Sequence, residues 1–278
     1  MQWTFAKVLS GKDRKLTKMR YLRVENDGPV TKVTLNRPEA MNAINVAMHY
    51  ELDEAFNAFA QDPKQLICLI TGAGDRAFCA GSDVRAAAEA DSPIATYPAS
   101  GYGGLTRRFD CDKPFIAAVN GVALGGGFEI ALACDVIIAS ERAQFGLPEP
   151  LVGAIALAGG LHRLARRLPH NIAMGMILSS RNVSAQDAAR YGLANEVVPH
   201  EELMAAAERW CSDILKASPV AVQASKAIVR RGLAEVDVEA ALERQDTYPE
   251  YIAWSTSADF KEGLSAFAER RRPVWTGI

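Results

Sequence analysis

The stretch FIAAVNGVALGGGFEIALACDVIIAS, residues 115–140, decides the fold. It begins with an apolar run that predicts a strand over Phe115–Val119, followed by a turn at Asn120-Gly121. After glycines at 125–127, a run of helix formers predicts a helix, and Val136–Ala139 predicts a second buried strand. The order strand, glycine turn, helix, strand indicates an α/β core.

A single glutamate lies within the predicted apolar helix. Glu129 has no Lys or Arg at positions 125, 126, 132 or 133 that could pair with it across a helical turn. A buried carboxylate without a partner is unfavourable, which leaves an ordinary surface glutamate as the alternative interpretation. The glycines before it leave backbone N–H groups free at a helix start, where negative charge is favoured. A carboxylate beside such an anion site is suited to acyl-group chemistry.

Length and composition describe an ordinary globular protein. The 278 residues allow one large domain, or one domain with an appendage, and 49% of them are hydrophobic. The net charge of −2 provides no strong field for nucleic acid or an anionic membrane, so we expect neither as a partner. The five cysteines form no CxxC pair and no short cluster with the four histidines. We therefore expect no metal site, and reduced thiols in a cytoplasmic protein.

The two ends of the chain differ from its middle. Residues 1–20 carry six Lys or Arg against one Asp, which predicts a disordered basic leader, with an organellar presequence as the alternative. Residues 21–200 alternate predicted strands and helices and form the expected core. Beyond Pro199 the pattern is helical, so residues 201–278 are predicted as a separate helical region.

Between the leader and the central stretch, a strand pair is predicted around the turn 26–29. A helix capped by Asn42 or Asn45 is predicted to run to about Gln61. The segment 91–104 shows no periodicity and is predicted as a mobile loop near a site.

Two further motifs allow competing interpretations. The sequence from Gly72 to Ala77 matches the dinucleotide pattern GxGxxA after a strand, but no convincing helix follows it. Glu149 lies between two prolines, where a solvated loop residue is the common outcome and a catalytic carboxylate is the alternative.

Several segments, in this order, resemble the crotonase (enoyl-CoA hydratase/isomerase) family: LNRPEAMNAI, ITGAGDRAFCAGSD, KPFIAAVNGVALGGGFEIALACD, AQFGLPE and SAQDAARYGLANEVV. The resemblance extends from about Tyr21 to the C-terminus. Within the family, DVRAAAEA, GYGGLT and FAERRRPVW are similar to the carnitinyl-CoA dehydratases, a narrower match on fewer residues. The resemblance implies an α/β spiral of strand-strand-helix turns with a C-terminal helical trimerisation region. It implies a homotrimer, which can pair into a hexamer as a dimer of trimers.

The resemblance also implies a reaction. In the family, two backbone N–H groups hold the thioester oxygen, and they correspond here to those of Ser82 and Gly126. Two glutamates add water across the α,β double bond of an enoyl-CoA, and they correspond to Glu129 as base and Glu149 as protonated acid. An enoyl-CoA hydratase of this kind adds water reversibly and in the syn sense. It needs no metal or redox cofactor, because CoA is the carrier of the substrate.

The CoA path is implied in the same way. The family match places Asp83, Val84 and Arg85 along the pantetheine and phosphates, and it places Tyr251 and Arg270 where they could reach the CoA of a neighbouring subunit.

Residues 155–160 depart from the family pattern, since IALAGG stands where Ile-Pro-Gly-Ala-Gly-Gly is usual. We expect the main-chain N–H of Leu157 still to meet the water, and its side chain to narrow the acyl pocket. Carnitinyl-CoA dehydratases tend to carry Pro-Asp at 156–157, so the missing Asp favours a neutral acyl chain. An isomerase or lyase remains an alternative. So does a non-enzymatic RNA-binding member, although the acidic helix 43–61 has no Lys or Arg to contact phosphate.

Overall fold

The computed structural model describes residues 19–83 and 97–278, and its first elements form the predicted strand pair. Strand β1 (Leu22–Asp27) pairs antiparallel with β2 (Val30–Leu35), and the turn between them falls at Gly28-Pro29. Alternate residues of β2 are buried, as expected for a strand with one face on a core.

Helix α1 (Val46–Gln61) follows, and Asn45 is its cap, with the side chain accepting a hydrogen bond from the Met48 N–H. Asn42, the other predicted cap, has a different role. It is fully buried, and its amide nitrogen donates to the carbonyls of Ala73 and Ala77. Asn42 therefore joins the start of α1 to the loop beyond the next strand.

The remaining elements are short. The strands are β3 (Ile67–Gly72), β4 (Ala77–Cys79), β5 (Phe115–Val119), β6 (Val122–Leu124), β7 (Val136–Ser140), β8 (Gln144–Gly146), β9 (Val183–Ser184) and β10 (Glu196–Val198). The helices are α2 (Gly126–Ala133), α3 (Gly160–Arg167), α4 (His170–Ser179), α5 (Ala185–Arg190), α6 (Leu203–Ile214), α7 (Pro219–Gly232), α8 (Val238–Arg244), α9 (Pro249–Ser255) and α10 (Ala258–Ala268).

The strands form two sheets, and the chain alternates between them. One sheet has the order β1-β2-β3-β5-β7-β10 and is parallel from β2 onward; the other has the order β4-β6-β8-β9, with β4, β6 and β8 parallel. Successive pairs such as β5 and β6 place one strand in each sheet before a helix returns the chain. This alternation is the predicted spiral of strand-strand-helix turns, and the α/β class is confirmed.

The structure corrects the dinucleotide alternative. After β3 ends at Gly72, the chain turns and enters another strand, β4, at Ala77. A dinucleotide site of this pattern needs a helix N-terminus directly after the glycines to bind the pyrophosphate. That helix is replaced by a strand, so the GxGxxA match has no such role.

The helical region after Pro199 begins by packing on the larger sheet. Leu203, Ala206, Ala207 and Cys211 of α6 share a buried cluster with residues of β3, β5 and β7. From α7, the Lys226 ammonium binds the Asp135 carboxylate at 2.7 Å and the Lys113 carbonyl at 2.9 Å. Within residues 19–83 and 97–278, no helix is long and apolar enough to cross a membrane.

Candidate active site

Three predicted site residues follow the ends of three neighbouring strands. Ser82, Gly126 and Glu149 come within three residues of the carboxyl ends of β4, β6 and β8, which lie side by side and run parallel. Residues after the carboxyl ends of adjacent parallel strands meet at one edge of a sheet. The sheet therefore brings these residues to one place.

The backbone N–H groups of Ser82 and Gly126 are both available to a ligand by geometry. Gly126 begins α2, so its N–H has no carbonyl partner one turn earlier in the helix. Around Ser82, the Ile44 N–H donates to the Gly81 carbonyl and the Asp83 N–H donates to the Ile44 carbonyl. In such a parallel bridge the middle residue directs its own N–H to the opposite side, away from Ile44.

The two donor segments are in contact. A methyl group added at Gly81 would lie 3.4 Å from the Gly126 nitrogen and 2.9 Å from the Leu124 carbonyl oxygen. The backbone before Ser82 therefore touches the turn into α2. Two such N–H groups side by side form the arrangement that stabilises an oxyanion.

Glu129 is in the first turn of α2 and is only 3% exposed. Its Oε1 accepts a hydrogen bond of 2.8 Å from the Gly160 N–H at the start of α3, and the Ala158 N–H adds a second. Glu129, for which the sequence offers no salt-bridge partner across a helical turn, is thus buried. Backbone N–H groups donate hydrogen bonds to its carboxyl.

Glu149 follows β8 and begins a 3-10 turn over Glu149–Val152. Its Oε2 is buried and has no hydrogen-bond partner in the described part of the chain. Its Oε1 faces Gly125, where an added methyl group would lie 3.0 Å away. Glu149 is therefore half-buried beside the turn that presents the Gly126 N–H, and the solvated-loop interpretation does not describe it.

Burial raises the pKa of both carboxyls. Burial raises the pKa of Glu129 from 4.5 to about 7; the Gly160 N–H opposes this shift and the charge of Glu149 increases it. Burial also raises the pKa of Glu149 above its usual range.

A prediction about stability follows from the Glu129 pKa. Because the folded state raises it from 4.5 to about 7, the fold favours the protonated carboxyl. That stability is fully present below pH 4.5 and is lost as the pH rises through about 7. Glu129→Gln keeps an acceptor for the Gly160 N–H and carries no charge. We expect it to unfold with about 3 kcal/mol more free energy than wild type at about pH 9.

Urea unfolding across this pH range measures the difference between variant and wild type. Glu141→Gln, at an exposed position, is the matched control and should show no pH-dependent difference. A stability difference for Glu129→Gln that is the same at pH 4.5 and at about pH 9 would contradict the raised pKa.

The residues predicted to line the CoA path lie in different parts of the structure, and two of them lie outside the described residues. Asp83 forms an ion pair of 3.1 Å with Arg37, while Val84 and Arg85 lie outside the described residues. Tyr251 is on α9 and packs its ring on Trp254, and Arg270 is exposed beyond α10. The contacts of these last two residues join neither of them to the glutamates, so their role at a neighbouring subunit stays a prediction.

The expectation for the main-chain N–H of Leu157 is wrong, because this N–H donates to the Ile155 carbonyl at 3.0 Å and is not free to meet a water. The Leu157 side chain is 72% exposed, whereas Ala156 is buried. The expected narrowing of the acyl pocket by this side chain stays a prediction.

Two residues near the site had no predicted role. Tyr102 is buried, its ring lies on Gly126, and its hydroxyl is 3.2 Å from the Ser82 hydroxyl. Arg163 donates to the Thr106 carbonyl at 2.8 Å, and its charge lowers the pKa of Glu129 against the stronger effect of burial. The glycine-rich GYGGLT around Tyr102 was a visible signal, but a glycine and tyrosine pattern alone does not specify a contact.

Among residues 19–83 and 97–278, no group of three His, Cys, Asp or Glu side chains is arranged to hold a metal ion.

Comparison with known proteins agrees with this fold. The sequence pattern of the enoyl-CoA hydratase/isomerase family matches residues 25–278. The chain therefore belongs to the enoyl-CoA hydratase/isomerase family, the crotonase superfamily of enzymes.

Individual relatives show which enzymes of this family the chain is similar to. Carnitinyl-CoA dehydratase from Proteus mirabilis is 44% identical over 258 residues, covering 92% of this chain and 98% of the relative. The carnitinyl-CoA dehydratase of Salmonella typhi is 42% identical with the same coverage. Among solved structures, an enoyl-CoA hydratase from Mycobacterium tuberculosis superposes with a TM-score of 0.85 at 37% identity, covering 93% of this chain and 99% of that one. The chain is thus similar to both hydratases and dehydratases.

Proposed function

We propose that the protein is an enoyl-CoA hydratase, which adds water reversibly across the α,β double bond of an acyl-CoA thioester. The observation that carries the proposal is the pair Glu129 and Glu149. Both carboxyls have a raised pKa. Glu149 lies beside the turn that presents the Gly126 N–H, and Glu129 is in the first turn of the helix that Gly126 begins. A general acid and a general base next to two oxyanion donors are the groups that hydration of a conjugated thioester requires.

The backbone donors act on the thioester carbonyl. As water attacks the β carbon, electrons move through the double bond to the carbonyl oxygen, which becomes an enolate oxygen. The N–H groups of Ser82 and Gly126 donate to that oxygen, and one such donor is typically worth about 3 kcal/mol. Because they belong to the backbone of β-strand ends, they are already positioned before the charge develops.

The two carboxyls move the protons. Glu129 takes a proton from the water as its oxygen bonds to the β carbon, and Glu149 gives a proton to the α carbon, so one proton leaves the pair for each one taken up. This requires one proton on the pair, on Glu149, at the start of the cycle.

A second candidate is carnitinyl-CoA dehydratase, which is favoured by the relatives at 42–44% identity. Against it, position 157 carries Leu and no carboxylate that could face a trimethylammonium group. A neutral acyl chain therefore remains our proposal for the substrate. The same site could also run an isomerisation, in which a proton is removed and returned without water.

The supporting proposals follow the family. The chain acts as a homotrimer or a dimer of trimers in the cytoplasm, with CoA as the substrate carrier and without a metal or redox cofactor. The exposed apolar side chains of the C-terminal helices, Leu242, Ile252, Leu264 and Phe267 among them, support a role in assembly.

Turnover of crotonyl-CoA tests the hydratase proposal. The assay is run in water enriched with ¹⁸O and follows the absorbance of the conjugated thioester. We expect this absorbance to fall as one labelled oxygen is incorporated at the β carbon. Migration of the double bond without label would indicate an isomerase and contradict the proposal. Faster turnover of crotonobetainyl-CoA than of crotonyl-CoA would replace the neutral substrate by the carnitinyl one.

A further inference from the structure

A glycine-rich turn packs between helices α1 and α2 beside the site. Residues Tyr102–Gly104 form a 3-10 turn, although the sequence predicted irregular loop here. A methyl group at Gly104 would lie 2.6 Å from the Asp53 Cα of α1, and Gly104 has a positive φ of 64°. A methyl group at Gly103 would lie 2.6 Å from Ile130 Cδ1 of α2. The backbone of this turn thus has no room to move toward either helix.

The side chain that this turn presents is Tyr102, which is 3% exposed. Its ring lies so close to Gly126 that a methyl group added there would overlap it. Its hydroxyl forms a hydrogen bond of 3.2 Å with the Ser82 hydroxyl, in which either oxygen can donate. One side chain therefore contacts both residues whose N–H groups face the thioester oxygen in the proposed function.

Tyr102 itself is fixed by several contacts. Its N–H donates to the Thr106 hydroxyl at 3.0 Å, and the next N–H, of Gly103, donates to Nδ1 of the buried His49 at 2.9 Å. The His49 ring packs edge-to-face on the Tyr102 ring with centroids 4.5 Å apart. Burial lowers the pKa of His49 to about 4, so a neutral imidazole with its proton on Nε2 accepts this hydrogen bond at neutral pH.

We propose that Tyr102 is a positioning residue of the thioester site, which sets the separation of the Ser82 and Gly126 N–H groups. The inference rests on the proposed function, since it concerns the oxyanion donors of that reaction. The Tyr102 ring limits how far Gly126 can move toward it, and the hydrogen bond of the Tyr102 hydroxyl limits how far Ser82 can move away from it. Small errors in donor position reduce the stabilisation of an oxyanion strongly, because the donors act at hydrogen-bond distance.

Removing the hydroxyl and removing the ring separate the two contributions. Tyr102→Phe keeps the ring on Gly126 and loses the bond to Ser82, so we expect kcat for crotonyl-CoA hydration to fall about tenfold with KM little changed. Tyr102→Leu also loses the flat ring, and we expect a fall of about a hundredfold in kcat. Tyr50→Phe on α1, at a side chain 48% exposed, is the matched control and should retain wild-type rates.

Ser82→Ala tests whether Tyr102 acts through Ser82. It removes the other half of the same hydrogen bond and keeps the backbone N–H. If that bond is the link, the double variant Tyr102→Phe with Ser82→Ala should be no slower than the slower single variant. Effects that multiply in the double variant would overturn this link.

A spectroscopic probe separates positioning from a merely structural role. A cinnamoyl-CoA with a para-dimethylamino group absorbs at longer wavelength when its carbonyl accepts hydrogen bonds. We expect wild type to shift the absorbance of the bound probe, Tyr102→Phe to reduce the shift, and Tyr102→Leu to reduce it most. A full wild-type shift in Tyr102→Leu, even with lowered stability, would overturn the proposal.

The probe also keeps the two proposals distinguishable. If wild type binds and shifts the probe but does not hydrate crotonyl-CoA, the hydratase proposal fails while the variants still report on donor positioning. If wild type binds the probe without any shift, the donors do not hold the carbonyl, and the role of Tyr102 is overturned as well.

Discussion

The Glu129→Gln variant is expected to hydrate crotonyl-CoA about 10²- to 10⁴-fold more slowly than wild type, while still binding the thioester. The amide is nearly the same size and keeps an oxygen for the Gly160 N–H that holds the wild-type side chain at 2.8 Å. It cannot accept a proton from water at neutral pH, so the attack on the β carbon loses its base. The loss should appear in kcat and in kcat/KM alike, because the interaction is made in the transition state.

Glu149→Gln should produce a loss of similar size by removing the acid. The two substitutions should not multiply, since either alone disables the exchange of one proton through the pair. Glu141→Gln, at an exposed glutamate before β8, is the matched control and should keep the wild-type rate. Full turnover in Glu149→Gln would refute the two-carboxyl mechanism, and the same result in Glu129→Gln would assign the base to another group.

The Gly127→Ala variant is expected to lose about 3 kcal/mol of unfolding free energy, at the upper end of overpacking effects. The added methyl group would overlap the Cys79 carbonyl oxygen and would lie 2.7 Å from the Cys79 Cβ. Gly127, the second residue of α2, and Cys79, the last residue of β4, are both buried. Neither backbone can therefore move away from the other without disturbing the core. The close approach of a helix to a strand end requires glycine here.

The same substitution elsewhere provides the control. Gly175 is an exposed position within α4, and an added methyl group there would meet nothing within 4 Å. Gly175→Ala should therefore stabilise the protein by up to about 1 kcal/mol, because alanine favours the helix. Urea unfolding midpoints measure both variants against wild type. Equal midpoints for the two alanine variants would show that the contact at Gly127 relaxes and does not limit the fold.

Local sequence signals predicted the regular elements around the site with useful accuracy. The strand at Phe115–Val119, the helix with Glu129 in its first turn and the cap at Asn45 are all present. These features depend on near neighbours in the chain: apolar runs, helix formers and a side-chain oxygen that accepts a hydrogen bond from the Met48 N–H. Such signals are readable because the interactions lie within a few residues of one another.

The features that were not predicted depend on long-range contact. Strands β6 and β8 have three residues each, too few to show a period. They form because β6 pairs with β4 and β8, and β8 also pairs with β9. The contact of Tyr102 with Gly126 likewise depends on how distant segments pack. The raised pKa of Glu129 depends on burial, which spacing alone does not reveal.

The placement of three site residues after β4, β6 and β8 has a consequence for how new reactions can arise on this chain. Adjacent strands in a sheet are about 4.8 Å apart, so the sheet fixes the spacing between the two proposed thioester donors and the residue at position 149. The proposed donors are main-chain groups and tolerate substitution of their side chains, whereas in the proposed mechanism the third position offers a side chain to the reacting carbons. Substitution of that one residue should therefore change which bond of the substrate reacts, while binding of the thioester carbonyl is retained. New reactions can thus arise on this chain by substitution at a single strand end.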